Sequence, residues 1–261
     1  MLTGLGPGLI AGIAVVVLVA GAVNGLAGFG FALVGTMALA TAIDPAVAVV
    51  FMIVPILGVN LSLVRDLSPG QLRTCGRRFA PLMVAALAGT VVGLVVLDRV
   101  PQGPLKVGLG VVSLAFVAGA QETVPIPGLE RAKSGCFVES TPAMAGVGAV
   151  SGMLFGGTNV GVQLIAYLRS CDLSHGLFVG VVALVFLGLN GVRVGIAGAL
   201  GLYPSVTVAF ASVLAVAPAV AGVAVGKRLR STVGPDHRRA VVLLLLTAIG
   251  IRLVLGGLGI A

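Results

Sequence analysis

The chain has 261 residues, of which 58% are hydrophobic and only 9% are charged, and its formal net charge is +8. A soluble domain carries about 25% charged residues, so this composition excludes an ordinary soluble globule. Apolar runs of about 20 residues, long enough to cross the hydrocarbon core of a bilayer, recur along the chain. We therefore expect an all-α polytopic membrane protein.

The positive charge has an ordinary explanation in such a protein. Cytoplasmic loops collect Lys and Arg, so the net charge indicates topology and argues against nucleic-acid binding. The three cysteines are Cys75, Cys136 and Cys171, and they lack the spacing of a disulfide framework or a zinc site. His175 and His237 are too far apart in the chain to suggest a metal pair. We expect neither a bound metal nor a cofactor.

A glycine-rich stretch occurs twice, at residues 21–30 (GAVNGLAGFG) and at residues 148–157 (GAVSGMLFGG), with an offset of 127 residues. Each copy lies in an apolar segment, and a second apolar run follows with almost no spacer. Internal repeats of this length indicate two similar structural units. In transporters, apolar segments interrupted by glycine at matching positions of two halves point to a substrate site.

The first half, residues 1–120, begins with an apolar run at 8–27, the glycine break, and a shorter run at 31–43. Asp44-Pro45 is a typical helix start and predicts a helix to about Val64. Residues 65–78 are expected to form a polar loop, and spans follow at 79–97 and 105–120. Residues 121–142 are expected to link the halves.

The second half, residues 143–261, repeats this plan. An apolar segment at 143–155 precedes a break at Gly156-Gly157 and a short run at 160–168. Three spans are predicted at 176–202, 205–225 and 240–258, with a basic loop at 227–239 between the last two. If each broken pair forms a hairpin, three further helices per half make about eight membrane segments. Three is odd, so the halves are predicted to be inverted repeats.

The distribution of Lys and Arg orients this topology. The positive-inside rule places the loop at 65–78, the linker and the loop at 227–239 in the cytoplasm. The turn at Tyr203-Pro204 carries no charge and falls outside. The residues before Asp44 contain no charge at all.

A break between two helices in a membrane frees backbone N–H groups, and a helix N-terminus with free N–H donors suits an anion. The first break offers Gly28, Phe29 and Gly30. The second break offers Gly156, Gly157, Thr158 and Asn159. The alternative is that glycines only allow close packing, and this is the interpretation we favour for Gly148 and Gly152.

Arg193 lies well inside a predicted span, close to Asn190. Asn60 occupies a similar place in the matching helix of the first half. An arginine at membrane depth is rare and is a functional-site candidate by default. Its alternatives are a structural contact to backbone carbonyls and a side chain that reaches to the membrane surface. No acidic residue lies deep in any predicted span, so the sequence contains no visible proton relay.

The two glycine patterns resemble a known family. The Gly-Phe-Gly-Phe break at residues 28–31 and the Phe-Gly-Gly…Tyr-Leu pattern at residues 155–168 are similar to those of the sulfite exporter TauE/SafE transporters. That resemblance implies a multi-pass permease that moves small sulfur-containing anions, such as sulfite or organosulfonates, without ATP.

We therefore expect a secondary transporter in the cell membrane, with substrate bound between the halves at the two breaks. Arg193, Asn190 and Asn60 would be its polar partners. The alternatives are a channel-like anion pathway and a transporter of another small organic anion. We expect no enzymatic activity, because no catalytic constellation is visible. The partners are the lipid bilayer and a small inorganic or organic sulfur anion, and a homodimer is left open.

Overall fold

The computed structural model describes residues 7–28, 30–64, 68–97, 99–120, 140–169 and 175–260. In these ranges the chain forms twelve α-helices and no strand, so the prediction of an all-helical protein is confirmed. The helices are α1 (Pro7–Ala27), α2 (Phe31–Ala40), α3 (Pro45–Val64), α4 (Pro69–Arg78), α5 (Ala80–Leu97), α6 (Gln102–Ala120), α7 (Thr141–Thr158), α8 (Val162–Arg169), α9 (His175–Ala199), α10 (Val206–Leu214), α11 (Val216–Leu229) and α12 (Pro235–Gly257).

Six helical segments in the described part of the chain are long and apolar enough to cross a membrane. They are α1, α3, α5, most of α9, the α10–α11 pair and α12. Two shorter apolar helices, α2 and α6, accompany them. The sequence predicted about eight segments and treated α1 as half of a hairpin, whereas α1 alone reaches spanning length. The predicted linker between the halves lies mostly outside the described residues.

The first glycine break is a tight helical hairpin. Gly28 and Gly30 have φ angles of 82° and 103°, in the left-handed region that glycine adopts most readily. The backbone N–H of Phe31 donates to Asn24 Oδ1 at 3.4 Å, and Gly35 lies beside Ala20. These contacts show that α2 folds back along α1. Phe29 lies outside the described residues.

The second break lies later in the chain than the sequence predicted. Gly156 and Gly157 do not interrupt α7, which continues to Thr158. The chain turns at Asn159, whose φ is 60° and whose N–H donates to Phe155 O at 2.9 Å. The prediction was wrong because these glycines serve packing: a Cβ on Gly156 would lie 3.0 Å from the backbone N of Leu94.

The offset between the two breaks therefore differs from the offset between the two glycine-rich stretches. Ala27 and Thr158, which end the helices before the breaks, are 131 residues apart, and so are Phe31 and Val162, which begin the helices after them. The glycine-rich stretches align at 127 residues instead. The difference of about one helical turn arises because the stretches align packing glycines rather than the turns themselves.

Two pairs of parallel helices pack with their backbones in contact. In the α1–α11 pair, a Cβ on Gly25 would lie 2.7 Å from Lys227 N. In the α5–α7 pair, a Cβ on Gly152 would lie 2.7 Å from Ala86 Cα. Real Cβ atoms do not approach other atoms so closely, so only glycine fits. The expected packing role of Gly148 and Gly152 is confirmed, since both face α5.

The third helix contains a buried proline, Pro55. Proline has no N–H, so it leaves the carbonyl of Phe51 without its usual helical donor. Ser212 on α10 supplies the missing bond, because its Oγ donates to Phe51 O at 2.6 Å. This hydrogen bond joins the first half of the chain to the second.

Replacing Ser212 with alanine is expected to destabilise the protein by about 1 kcal/mol, because the Phe51 carbonyl loses the donor that Ser212 supplies. A thermal unfolding curve of purified protein in detergent measures the effect. Ser231→Ala is the matched control, since the Ser231 hydroxyl is exposed and bonds only within its own turn. Equal melting temperatures for the two variants would contradict the role given to Ser212.

The bundle has two distinct ends. The Tyr203 end holds the start of α3, the turn between α5 and α6, and the turn between α9 and α10. The Arg238 end holds the end of α3, the helix α4, and the turn between α11 and α12. The side chain of Asp44 accepts a hydrogen bond from Gln102 at the Tyr203 end. These names are used below for the two faces of the protein.

Most described basic residues lie at the Arg238 end. Residues 69–78 form the helix α4 instead of the loop that the sequence predicted, and residues 65–67 lie outside the described part. The basic stretch at 227–239 is mostly helical too, since only residues 230–234 separate α11 from α12. The sequence predicted from the positive-inside rule that these residues face the cytoplasm, and this stays a prediction.

Candidate anion site

Arg193 on α9 is the largest fully buried side chain among the described residues. Its Nη1 donates to Asn159 Oδ1 at 2.5 Å and to Asn190 Oδ1 at 3.2 Å. Its Nη2 donates to the carbonyl of Gly156 at 3.0 Å. The guanidinium thus sits against the last turn of α7, where the chain breaks.

Phe155 covers the face of this guanidinium. The Arg193 Cζ lies 4.8 Å from the centroid of the Phe155 ring, within the range of a cation–π contact. The ring is held in turn by Phe186, at 5.0 Å between centroids. A cation placed over an aromatic face and between amide oxygens loses its water but keeps favourable electrostatic partners.

Asn159 organises the second break. Its Nδ2 donates to Thr36 Oγ1 on α2 and to the carbonyl of Val49 on α3, both at 2.9 Å. Its Oδ1 accepts from Arg193. One side chain therefore ties the break of the second half to two helices of the first half. Asparagine also tolerates the left-handed backbone that the turn requires.

No carboxylate of the described residues lies beside the positive charge of Arg193. The chain contains eight acidic residues, and none lies inside the six candidate spans except Asp236, at the first residue of the last one. Asp236 belongs to the Arg238 end, whereas Arg193 bonds to Gly156 and Asn159 near the other end. Every partner that the described residues offer to Arg193 is neutral, so none of them compensates the buried charge.

Two donors near this charge remain unused. Arg193 Nε and the Tyr203 hydroxyl are buried, and neither has a hydrogen-bond partner among the described residues. Burial raises the pKa of Tyr203, and the charge of Arg193 opposes that shift. Tyr203 therefore keeps its proton at neutral pH and remains a donor close to the cation. Buried donors without a described partner are candidate contacts for a ligand.

The first break carries a smaller polar group. Arg238 on α12 donates from Nη1 to the carbonyl of Leu26 at 3.3 Å, in the last turn of α1. Its Nε is also buried without a partner in the described residues. Asn24 is buried beside the turn and holds Phe31. Each break therefore has one arginine on a carbonyl of the helix that precedes it.

The sequence analysis placed the substrate between the halves at the two breaks. In the structure, however, the two breaks are far apart. Gly25 contacts Lys227 and Leu26 accepts from Arg238, so the first break lies at the Arg238 end. Gly156 packs near the end of α5 and Asn159 bonds to the start of α3, so the second break lies at the Tyr203 end. Parallel pairing of α1 with α11 and of α7 with α5 enforces this separation.

The predicted site residues divide accordingly. Asn159, Asn190 and Arg193 form one connected cluster, to which Gly156 contributes its carbonyl. Gly157 lies in the same helical turn, and the Thr158 hydroxyl donates to Leu154 O in its own helix. Asn60 is buried on α3, 11 residues beyond Val49 and so about 16 Å further along that helix. Gly28 and Gly30 form the turn at the opposite end.

Sequence reasoning missed several members of these groups: Asn24, Thr36, Phe155, Tyr203 and Arg238. Asn24 and Thr36 could have been suspected, because each is a polar residue inside an apolar run. Tyr203 and Arg238 gave no signal, since both lie in or beside loops where such residues are ordinary. Among the described residues no cluster of metal-ligating side chains occurs.

Six helical segments of spanning length and a buried polar centre at a helix break define a multi-pass membrane protein. Residues 13–253 match the family described as Sulfite exporter TauE/SafE, so the chain belongs to this family of membrane transporters. The resemblance noted from the glycine patterns is confirmed. No curated protein and no solved structure matches the chain.

Proposed function

We propose that this protein is a secondary transporter of the cell membrane that moves small sulfur-containing anions, such as sulfite or organosulfonates. The observation that carries this proposal is the buried charge of Arg193, which no described residue neutralises. A buried cation is costly unless it is paired, and the family implies a small anion as cargo. Arg193 Nε and the Tyr203 hydroxyl are donors that such an anion can use.

The anion would bind at the second break. Asn159 and Asn190 both accept from Nη1 and the Gly156 carbonyl accepts from Nη2, which leaves Nε as the donor for substrate. The helix α8 begins at Val162, three residues after Asn159, and its first backbone N–H groups add positive partial charge near the same point. An oxyanion of two or three oxygens suits this combination of a planar cation and separate N–H donors.

The two halves would act as inverted repeats. Both begin with a helical hairpin, and their breaks lie at opposite ends of the bundle. The first helix of the first half, α1, pairs with α11 of the second half. The first helix of the second half, α7, pairs with α5 of the first half. With this symmetry, Gly28, Phe29, Gly30 and Asn60 would form a second position for the anion at the Arg238 end, with Arg238 as its cation. Rocking of one half against the other would expose the two positions in turn.

A carboxylate introduced beside Arg193 tests whether the charge of this arginine binds the anion. Asn190→Asp places a carboxylate beside Arg193 without changing the size of the side chain. We expect this variant to fold and to lose anion transport, because the new carboxylate satisfies the charge that the anion would otherwise satisfy. Uptake of radiolabelled sulfite into proteoliposomes measures the loss.

Asn190→Ala is the matched control for this test. It removes the same hydrogen bond to Arg193 but leaves the cation uncompensated, so it should retain more uptake than Asn190→Asp. Equal uptake by the two variants would argue that the charge of Arg193 does not meet the anion. Uptake that does not saturate with sulfite concentration would favour the channel-like alternative.

A further inference from the structure

A second group of cations lines a cavity at the Tyr203 end of the bundle. The cavity has a volume of about 440 Å³ and is called the basic cavity below. It is lined by Ala40, Thr41, Lys106, Arg252, Leu253 and Gly256. None of these residues belongs to the cluster around Arg193. A single water occupies about 30 Å³ of liquid, so the cavity has room for a small hydrated anion.

The two cations come from different helices that cannot move apart easily. Lys106 lies on α6 and Arg252 on α12. These helices pack antiparallel with close glycine contacts: a Cβ on Gly110 would lie 2.7 Å from the carbonyl of Gly250, and a Cβ on Gly257 would lie 2.9 Å from Val107 N. The rigid pairing keeps both basic side chains at one cavity although their charges repel.

Neither cation is neutralised within the described part of the protein. Lys106 and Arg252 form no hydrogen bond or ion pair with a described residue. Asp44 lies at the same end, but its carboxylate caps α3 through Ala46 N and Val47 N and accepts from Gln102. It is therefore engaged elsewhere and does not line the cavity.

Helix dipoles do not cancel the remaining charge. The carboxyl ends of α2 and α12 reach the cavity through Ala40 and Gly256, and each end carries roughly half a negative charge. Two full positive charges therefore exceed the two helix ends by about one elementary charge. Among the described residues the cavity therefore has a net positive charge, with one planar and one compact donor group for an anion.

We propose that the basic cavity is an oxyanion-binding site distinct from the Arg193 cluster. Its ligand is a sulfo- or phospho-type oxyanion, held between Lys106 and Arg252. Two sources supply that chemistry at this position. One is a free anion in the aqueous phase, and the other is the phosphate of an anionic lipid headgroup, because the cavity opens near the end of the helices.

The test uses the Arg193→Gln variant as its starting protein, which lacks the cation of the proposed transport site. Anion binding that remains in this variant can then be assigned to the basic cavity. Into it are introduced Lys106→Gln, Arg252→Gln and both together. Arg99→Gln is the matched control, since Arg99 is an exposed cation at the same end and does not line the cavity. The first arm titrates delipidated protein with sodium sulfate and follows the melting temperature against sodium chloride of equal ionic strength.

The second arm measures how much phosphatidylglycerol each purified variant retains, by native mass spectrometry. For a free anion, the apparent sulfate affinity should fall about tenfold for each single cavity variant and more for the double variant, with no change for Arg99→Gln. For a lipid phosphate, sulfate should have no effect, and the cavity variants should lose bound phosphatidylglycerol. Either result supports the site.

The proposal is overturned if the cavity variants match Arg99→Gln in both arms. Folding is checked through the melting temperature without anion. Lys106→Arg and Arg252→Lys keep the charge, so both should bind the anion. They show whether the glutamine variants lose binding through loss of charge or through unfolding. The same titrations in the chain with Arg193 intact provide a second background.

Discussion

Arg193→Gln is expected to lower the rate of sulfite uptake by about 100-fold, the largest functional effect that we foresee for a single substitution. Glutamine keeps a polar group near Asn159 but removes the only cation of the cluster. The anion then loses a charge-assisted contact in a buried site, where such contacts are strongest. Uptake into proteoliposomes from an anion gradient measures the rate.

Two comparisons separate this role from a purely structural one. Arg99→Gln removes an exposed charge from the same end and should leave uptake unchanged. Arg193→Lys keeps the charge but loses the planar fork, so it should retain intermediate uptake. If Arg193 served only to hold Gly156 and Asn159, both Arg193 variants would melt earlier, yet each would still gain the full stabilisation by sulfite that the unchanged protein shows.

Gly152→Ala is expected to have the largest effect on stability, a loss of about 3 kcal/mol or failure to insert. The new methyl group would lie 2.7 Å from Ala86 Cα, and the helix backbone cannot yield as a flexible side chain can. The α5–α7 pair would have to separate along its whole length. Because α7 leads directly to Asn159, the site of Arg193 should be disturbed as well.

Gly146→Ala is the matched control for this substitution. Gly146 lies on the same helix, and a Cβ built there meets nothing within 4 Å. It should therefore leave the melting temperature unchanged or raise it slightly, since alanine is the better helix former. Similar melting temperatures and yields for Gly146→Ala and Gly152→Ala would show that the close contact between α5 and α7 does not limit stability.

The class and much of the helix plan could be read from the sequence. Apolar runs long enough to cross a bilayer predicted α1, α3 and α5 to within a few residues. They also predicted the end of α12, although this helix begins five residues earlier than predicted. Asp44-Pro45 marked the start of α3, because capping is a local property of a few neighbouring residues. The buried cation at Arg193 was found for the same reason, since a charge in an apolar run is visible without any fold.

The second break could not be located in this way. Glycine permits both a turn and a close helix contact, and the sequence around Gly156 and Gly157 does not tell which one occurs. Only the approach of α5 selects the contact, through Leu94 and its neighbours. The turn then falls on Asn159, which the sequence had included as a site residue but not as the end of the helix.

The sequence by itself therefore determined a multi-pass helical membrane protein with two matching glycine-rich stretches and one buried arginine, because hydrophobic length and charge are properties of single segments. The tertiary structure alone decided that the breaks lie at opposite ends of the bundle and that Arg193 is held by Asn159, Asn190 and Gly156. Those relations depend on which helices pair in parallel, and pairing is settled by backbone contact between glycines far apart in the chain.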